Sequence, residues 1–283
     1  LTGYVEEKTG GEYKAKDVVC ISLDMIRALA IDSITDQLMQ VTNFNKICVN
    51  AIDYVDLKVF SIALYRAMAH GKSFMFRTAA SLVKVMGGIS DRPLLCRREM
   101  MVQQTQNGGL VVVGSHTQKT TAQLNALLRL DGIVGIPFNS DLILEGDEAL
   151  EAEIQRCVFK EAEVILAGRT AVCFTNRTLL SLPGDTKESA LARSVKISNG
   201  VQRLVSDLAV KPAFMVAKGG ITSNDVGVKA LRVRCARVMG QIYPGIPVWQ
   251  TDAQSKFPAI PYIIFPGNVG EENTLRSVIE KML

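Results

Sequence analysis

The chain has 283 residues, 48% of them hydrophobic and 21% charged, with a net charge of +4 from 32 basic and 28 acidic side chains. That composition excludes a disordered or fibrous chain, and the length allows two ordinary domains, each with its own core. The weak, scattered charge gives no nucleic-acid footprint and suits an anionic small molecule better; Arg232, Arg234 and Arg237 alternate with apolar residues, as on the solvated side of a strand.

In chain order, strands are expected at 18–21, 46–50 and 73–76, with helices at 24–41, 53–69 and 78–86. A glycine-rich break at 87–93 and a polar stretch at 103–109 follow, and the domain boundary is placed near 105, giving domains 1–104 and 105–283. Beyond it come strand 110–113, helix 120–130, a run at 133–138, helix 148–166, strand 170–174 and helix 187–208. Strands at 213–217, 234–242, 247–250 and 262–265 and a helix at 271–282 complete the chain. Short β-rich runs alternating with helices mean an α/β fold of two domains, with mainly parallel sheets and crossover helices.

The apolar stretches are strand-sized, far short of the roughly 20 residues that span a bilayer, so no membrane helix is expected. The six cysteines form no C-x-x-C pair, and with two histidines no zinc spacing can be written. Their apolar surroundings suggest buried, reduced thiols and a cytoplasmic setting.

Three strand-to-helix corners carry the chemistry. Val113-Gly114-Ser115-His116-Thr117 combines a glycine, which admits close backbone approach, with a helix start whose unpaired N–H groups favour a phosphate; capping by Ser115 or Thr117 is the competing role. Ala217-Lys218-Gly219-Gly220-Ile221-Thr222-Ser223-Asn224-Asp225 runs a strand into a double glycine, with Thr222 and Asp225 spaced as a capping box. Its amides suit a phosphate, Lys218 a point charge and Asp225 either a cap or a water-mediated magnesium contact. Phe265-Pro266-Gly267-Asn268-Val269-Gly270 is the third corner, where Gly267 allows a nucleotide to pass. In open α/β sheets ligands sit outside the carboxyl ends of strands, so the three corners are candidates for one crevice.

Familiar alternatives fail. Gly71-Lys72-Ser73 ends like a P-loop, but Arg66 occupies the earlier glycine position and the order is helix then strand. No dinucleotide-binding glycine fingerprint and no acyl-transfer triad is present. His70 and His116 fit structural helix-end roles, with a phosphate or substrate contact by His116 as the other reading. In the first third, Asp53 and Asp56 follow a strand and suit helix capping, with Asp53 also a candidate catalytic acid, as is Asp225. Arg77 and Thr78 stand at another corner, where arginine can hold a substrate carboxylate bidentately or pair with a neighbouring helix.

Taken together, Val113-Gly114-Ser115-His116 with Thr120-Thr121-Ala122-Gln123-Leu124, then 217–225, then 265–270 resemble the four-carbon acid sugar kinases in order and spacing, and Phe76-Arg77-Thr78-Ala79-Ala80 with Asp53 and Asp56 resembles the later part of that family's substrate domain. The resemblance implies transfer of the ATP γ-phosphate, with magnesium, to a hydroxyl of a threonate, erythronate or 3-oxo-tetronate type acid. It also implies nucleotide contacts from Ser115, Gly219, Gly220, Ile221, Thr222 and Gly267, and substrate contacts from Arg77 and Thr78. The expected partners are a nucleotide and a sugar acid, neither nucleic acid nor membrane, with homo-oligomerisation left open. The family's paired aspartates before Thr-Gly-Ala do not occur here, so the first domain is expected to be incomplete. A nucleotide-binding but catalytically incomplete fragment is the alternative.

Overall fold

A computed structural model describes residues 1–283 as two compact units, Leu1–Asp91 and Arg92–Leu283. The first unit holds a two-stranded parallel sheet, β1 (Val19–Ile21) beside β2 (Ile47–Val49), and helices α1 (Thr2–Lys8), α2 (Leu23–Arg27), α3 (Ile31–Gln40), α4 (Tyr54–Ala69) and α5 (Ala80–Met86). Ile21, Ile34, Leu38, Phe60 and Leu64 centre its core. One helix expected over 24–41 is two, because Leu29 takes a left-handed conformation (φ 52°) that ends the first and redirects the chain into the second. The strand expected at 73–76 does not form: the segment has no strand pairing, with Met75 and Phe76 exposed.

The Arg92–Leu283 unit starts ahead of the boundary expected near 105. Its helix α6 (Arg97–Met100) lies within this unit, Leu95 and Met100 are buried in its core, and the Leu95 amide donates to the Gln241 carbonyl at 2.8 Å. The chain then forms β3 (Leu110–Val113), α7 (Gln118–Leu128), β4 (Ile133–Phe138), α8 (Asp147–Leu166), β5 (Thr170–Thr175), α9 (Lys187–Ser206), β6 (Met215–Lys218), α10 (Gly220–Asp225), β7 (Ala236–Tyr243), β8 (Ile246–Thr251), β9 (Pro261–Phe265) and α11 (Thr274–Glu280). A π-helical turn, Val226–Ala230, continues α10.

The seven strands lie in the order β4-β5-β3-β6-β9-β8-β7. The first five are mutually parallel; β8 is antiparallel to both its neighbours, β9 and β7. The sequence explains the split: β3 is an unbroken apolar run and β6 is buried at every position because helices cover both faces, whereas β7, at the edge, buries only Ile242 and leaves its other residues exposed or half-buried. On one face Leu110, Val112, Cys173 and Met215 pack with Ile154 and Cys157 of α8 and Val201, Leu204 and Val205 of α9. On the other, Val111, Val113, Val216 and Ile263 pack with Leu124 and Leu127 of α7 and Leu275, Val278 and Ile279 of α11. The result is a three-layer α/β/α unit.

Gln123, fully buried on α7, donates from Nε2 to the carbonyls of Val269 and Glu271 at 3.1 and 3.0 Å, tying α7 to the loop after β9. No helix is long and apolar enough to cross a membrane. All six cysteines are free, and contrary to the sequence expectation only Cys157 and Cys173 are buried; Cys20, Cys96 and Cys235 are exposed.

Candidate functional site

From β3 the chain moves to one side of the sheet, through β4 and β5, and then crosses over β3 to β6 on the other side. Outward motion therefore reverses between β3 and β6, and a crevice opens beyond their carboxyl ends, the usual ligand position in such sheets. The three glycine corners of the sequence stand at the ends of the adjacent strands β3, β6 and β9. The neighbouring β5 contributes a fourth corner, Thr175-Asn176-Arg177, which the sequence reading passed over.

Their closeness depends on missing side chains. A Cβ on Gly114 would lie 2.4 Å from Thr222 Oγ1, so the β3 and β6 corners meet only because residue 114 is glycine. Gly219 has φ 120° and ψ 142°, a conformation nearly restricted to glycine, and a Cβ there would stand 3.3 Å from Thr222 Oγ1 and 3.6 Å from Ser115 Cβ. The β9 corner also comes close, though without needing a glycine: a Cβ on Gly267 would meet only the Gly219 Cα, at 4.0 Å. Thr175 Oγ1 donates to the Gly114 carbonyl at 3.2 Å, and an Arg177 guanidinium N–H donates to the Ser115 carbonyl, joining the fourth corner.

Together they wall a cleft of about 340 Å³, inside the size range of small-molecule sites. Gly114, Ser115, His116, Thr175 and Asn176 line it, with Gly219, Gly220, Ile221, Thr222 and Gly267 opposite and, from α9, Ser194, Ile197, Ser198 and Val201. No acidic side chain lines it. Gly219 caps α10, leaving the first-turn amides of Gly220, Ile221 and Thr222 without intrahelical acceptors at the positive end of a helix that continues to Ala230. Ser223 fixes that start: its Oγ donates to the carbonyls of Ala217 and Gly219, each at 2.7 Å, while the buried Tyr262 hydroxyl donates to the Ser223 carbonyl at 2.6 Å. Thr117 caps α7, accepting from the Thr120 amide at 3.3 Å, and Ser115 Oγ lies 3.4 Å from the hydroxyls of Thr117 and Thr120. The arrangement offers hydroxyls, free amides and a positive helix end to an anion.

Three expectations need correction. The capping box between Thr222 and Asp225 does not form, because α10 begins earlier, with Gly219 at its N-cap, and places Thr222 in the first turn. Asp225 lies at the far end of α10 outside the cleft lining, accepting from Gln202 Nε2 at 3.2 Å and Ser198 Oγ at 3.4 Å and pairing with Lys229 at 3.0 Å. Lys218 is not a free point charge in the cleft; it is wholly buried, donating from Nζ to the carbonyls of Pro266 and Gly267 at 2.8 and 3.1 Å. Burial, followed by the charge of Lys119, pushes its pKa down to about 8.

In the first unit Asp53 caps α4: its Oδ1 accepts from the amides of Val55 and Asp56 at 2.8 and 2.9 Å, and Asp56 completes the box, accepting from the Ile52 and Asp53 amides at 2.9 and 3.3 Å. Backbone hydrogen bonding from Ile52 is the first cause holding the Asp56 carboxyl below its ordinary range, with Arg27 adding to it. Arg77 is exposed and pairs with no carboxylate; its Nη2 donates to the Tyr4 hydroxyl at 2.7 Å, with the guanidinium 5.1 Å from the ring centroid. Thr78 lies beside it, just before α5, also exposed. His70 ends α4 and Lys72 Nζ donates to the Met39 carbonyl at 2.8 Å, so Gly71-Lys72-Ser73 is a helix terminus and not a phosphate loop. No group of three or more His, Cys, Asp or Glu side chains is placed to hold a metal ion.

Among solved structures, the chain is similar to a Salmonella typhimurium LT2 protein described as a "putative tRNA synthase", at 14% identity and TM-score 0.63 over 92% of this chain and 58% of that one. That likeness shows the fold alone. It is also similar to a domain of unknown function (DUF1537) from Bordetella bronchiseptica, solved with bound citrate as a domain-swapped dimer in two crystal forms, at 17% and 18% identity and TM-scores of 0.48 and 0.42. Those matches cover 94% of this chain and 58% and 57% of the other, so the chain spans less than two thirds of the length of the solved chains it matches. No curated protein sequence matches it. Residues 110–275, more than half of the chain and all of the cleft lining, match the model of the nucleotide-binding C-terminal domain, and the chain belongs to that family.

Proposed function

We propose that the chain serves an ATP-dependent kinase that phosphorylates a hydroxyl of a four-carbon acid sugar, with the nucleotide phosphates held in the cleft of the Arg92–Leu283 unit. The observation that carries the reading is the convergence of Gly114-Ser115, Gly219–Thr222 and Gly267 around a crevice with free amides and no acidic lining. Phosphoryl transfer demands mainly positioning and charge neutralisation, which oriented amides and hydroxyls supply with little reorganisation. Ser115, Gly219, Gly220, Ile221, Thr222 and Gly267 are assigned to the nucleotide, Ile221 through its amide because its side chain points largely into solvent, at 77% exposure.

Magnesium is assigned to the nucleotide's own phosphates and to water, since the cleft supplies hydroxyls but no carboxylate. Arg77, without an acidic partner, and Thr78 are assigned to the acid's carboxylate. Asp53 and Asp225 are both committed to other contacts, and neither is assigned as the catalytic base. The partners are thus a nucleotide and a sugar acid, and the setting cytoplasmic.

A coupled assay of ADP release, with ATP, magnesium and a panel of threonate, erythronate and 3-oxo-tetronate acids, tests the reading. Acid-dependent turnover that Arg77→Ala weakens through KM is the expected result. ADP binding with no turnover on any acid would favour the catalytically incomplete nucleotide-binding fragment.

A further inference from the structure

The cleft has a second half that phosphate recognition does not use. Ser194, Ile197, Ser198 and Val201 follow one another at spacings of three, one and three, so they form a single stripe along α9 facing the cleft. Leu179 and Leu180, in the loop between β5 and α9, line the same space. Leu179 is 58% exposed, an aliphatic side chain left in solvent beside other apolar groups. A nucleotide has the matching asymmetry, an anionic tail and a flat, weakly polar ring system.

The loop carrying these leucines has no secondary structure over residues 176–186 apart from turns, yet it is firmly held from one place. Arg193, on the first half of α9, donates from Nη1 to the Leu180 carbonyl at 3.0 Å and to Asp185 Oδ2 at 2.8 Å, and its Nη2 donates to Asp185 Oδ1. Asp185 accepts in turn from the Leu182 amide at 2.8 Å and from Ser189 Oγ at 3.0 Å. The guanidinium side chain is only 10% exposed and its carboxylate partner 17%, so the pair is shielded from the screening that weakens surface ion pairs. Both oxygens of Asp185 are engaged by one planar fork, a geometry lysine cannot reproduce.

We propose that Leu179, Leu180, Ile197 and Val201 form the seat of a purine base, and that Arg193, through Asp185 and the Leu180 carbonyl, is the positioning residue that holds its outer wall. The inference rests on the nucleotide reading above and assigns the ligand's base to residues outside the three glycine corners. Arg193 does not touch the nucleotide; it acts by presenting the two leucines.

The test is isothermal titration of the full chain with ADP and, separately, with inorganic tripolyphosphate, which carries the anionic tail without a base. Leu179→Asn changes an exposed loop residue without adding charge and leaves the core intact. It is expected to weaken ADP at least tenfold and to change tripolyphosphate affinity less than twofold. Arg193→Met should show the same selective loss and Arg193→Lys an intermediate one, which a purely electrostatic effect on the anionic tail would not produce. Unchanged ADP affinity in Leu179→Asn would overturn the proposal, as would equal loss of ADP and tripolyphosphate in a folded variant. A wild-type chain that binds tripolyphosphate but not ADP would contradict the base seat while sparing the phosphate site, and one that binds neither would remove the nucleotide reading and this inference with it.

Discussion

Gly219→Ala will lower the affinity for ADP at least tenfold while the rest of the Arg92–Leu283 unit keeps its fold. At φ 120° and ψ 142° an L-residue is strained by about 1–3 kcal/mol, and every 1.4 kcal/mol corresponds to about a factor of ten. Relaxing that strain requires a rotation of the backbone that aims the Gly220, Ile221 and Thr222 amides. The new methyl also stands 3.3 Å from Thr222 Oγ1, in the direction of the β3 corner. Gly114→Ala is expected to act from the opposite side, because its Cβ at 2.4 Å from the same oxygen forces the β3 and β6 corners apart. Titration calorimetry checks both, with circular dichroism to verify that the sheet and helices persist. Wild-type ADP affinity in either folded variant would show that the corners do not need to touch for binding.

The second large effect is a pH dependence with two opposite signs. Lys218 holds the Pro266 and Gly267 carbonyls, and burial brings its pKa down from 10.5 to about 8. Between those values the unfolded chain binds the proton and the folded chain does not, so the contribution of Lys218 to stability rises with pH across that window. Below about 8 the folded protein carries the whole burial penalty of the ammonium, on the order of 3 kcal/mol at most. A bound polyanion works the other way: it favours the charged form, and the ammonium keeps the Gly267 loop in place. ADP affinity should therefore fall severalfold between pH 7 and 9.5, while the stability difference between wild type and Lys218→Met shifts in favour of the wild type. Lys218→Met should flatten the affinity profile. An affinity independent of pH in the wild type would mean that the lysine is uncoupled from the ligand.

Much of this site was legible in the sequence, for a physical reason. Glycines that permit a close approach or an unusual φ are rarely replaceable, so Gly114 and Gly219 mark their corners on local grounds. The helix cap at Asp53 and the α/β alternation are likewise local and appear in the structure at nearly the expected residues. What the sequence did not disclose depends on neighbours distant in the chain. The burial of Lys218 against the 266–267 loop follows from the parallel pairing of β6 with β9, and the engagement of Asp225 follows from α9 packing beside α10. The fourth corner at Thr175 lacks a glycine and so lacks the strongest local signal. The α9 stripe of Ser194, Ile197, Ser198 and Val201 was readable as a helical face, but which surface it met required the sheet order. Segment 92–104 falls to the first domain when the polar stretch at 103–109 is taken as the boundary, yet Leu95 and Met100 bury themselves in the second unit's core.

On the proposed reading, the corners after β3, β6 and β9 together form one nucleotide site. The most direct measurement is a crystal structure of the chain with ADP and magnesium. Phosphate oxygens are expected within hydrogen-bond distance of the Gly220, Ile221 and Thr222 amides and Ser115 Oγ, with the base against Leu179, Leu180 and Ile197. Density for ADP elsewhere on the molecule, with this cleft empty at saturating nucleotide, would contradict it.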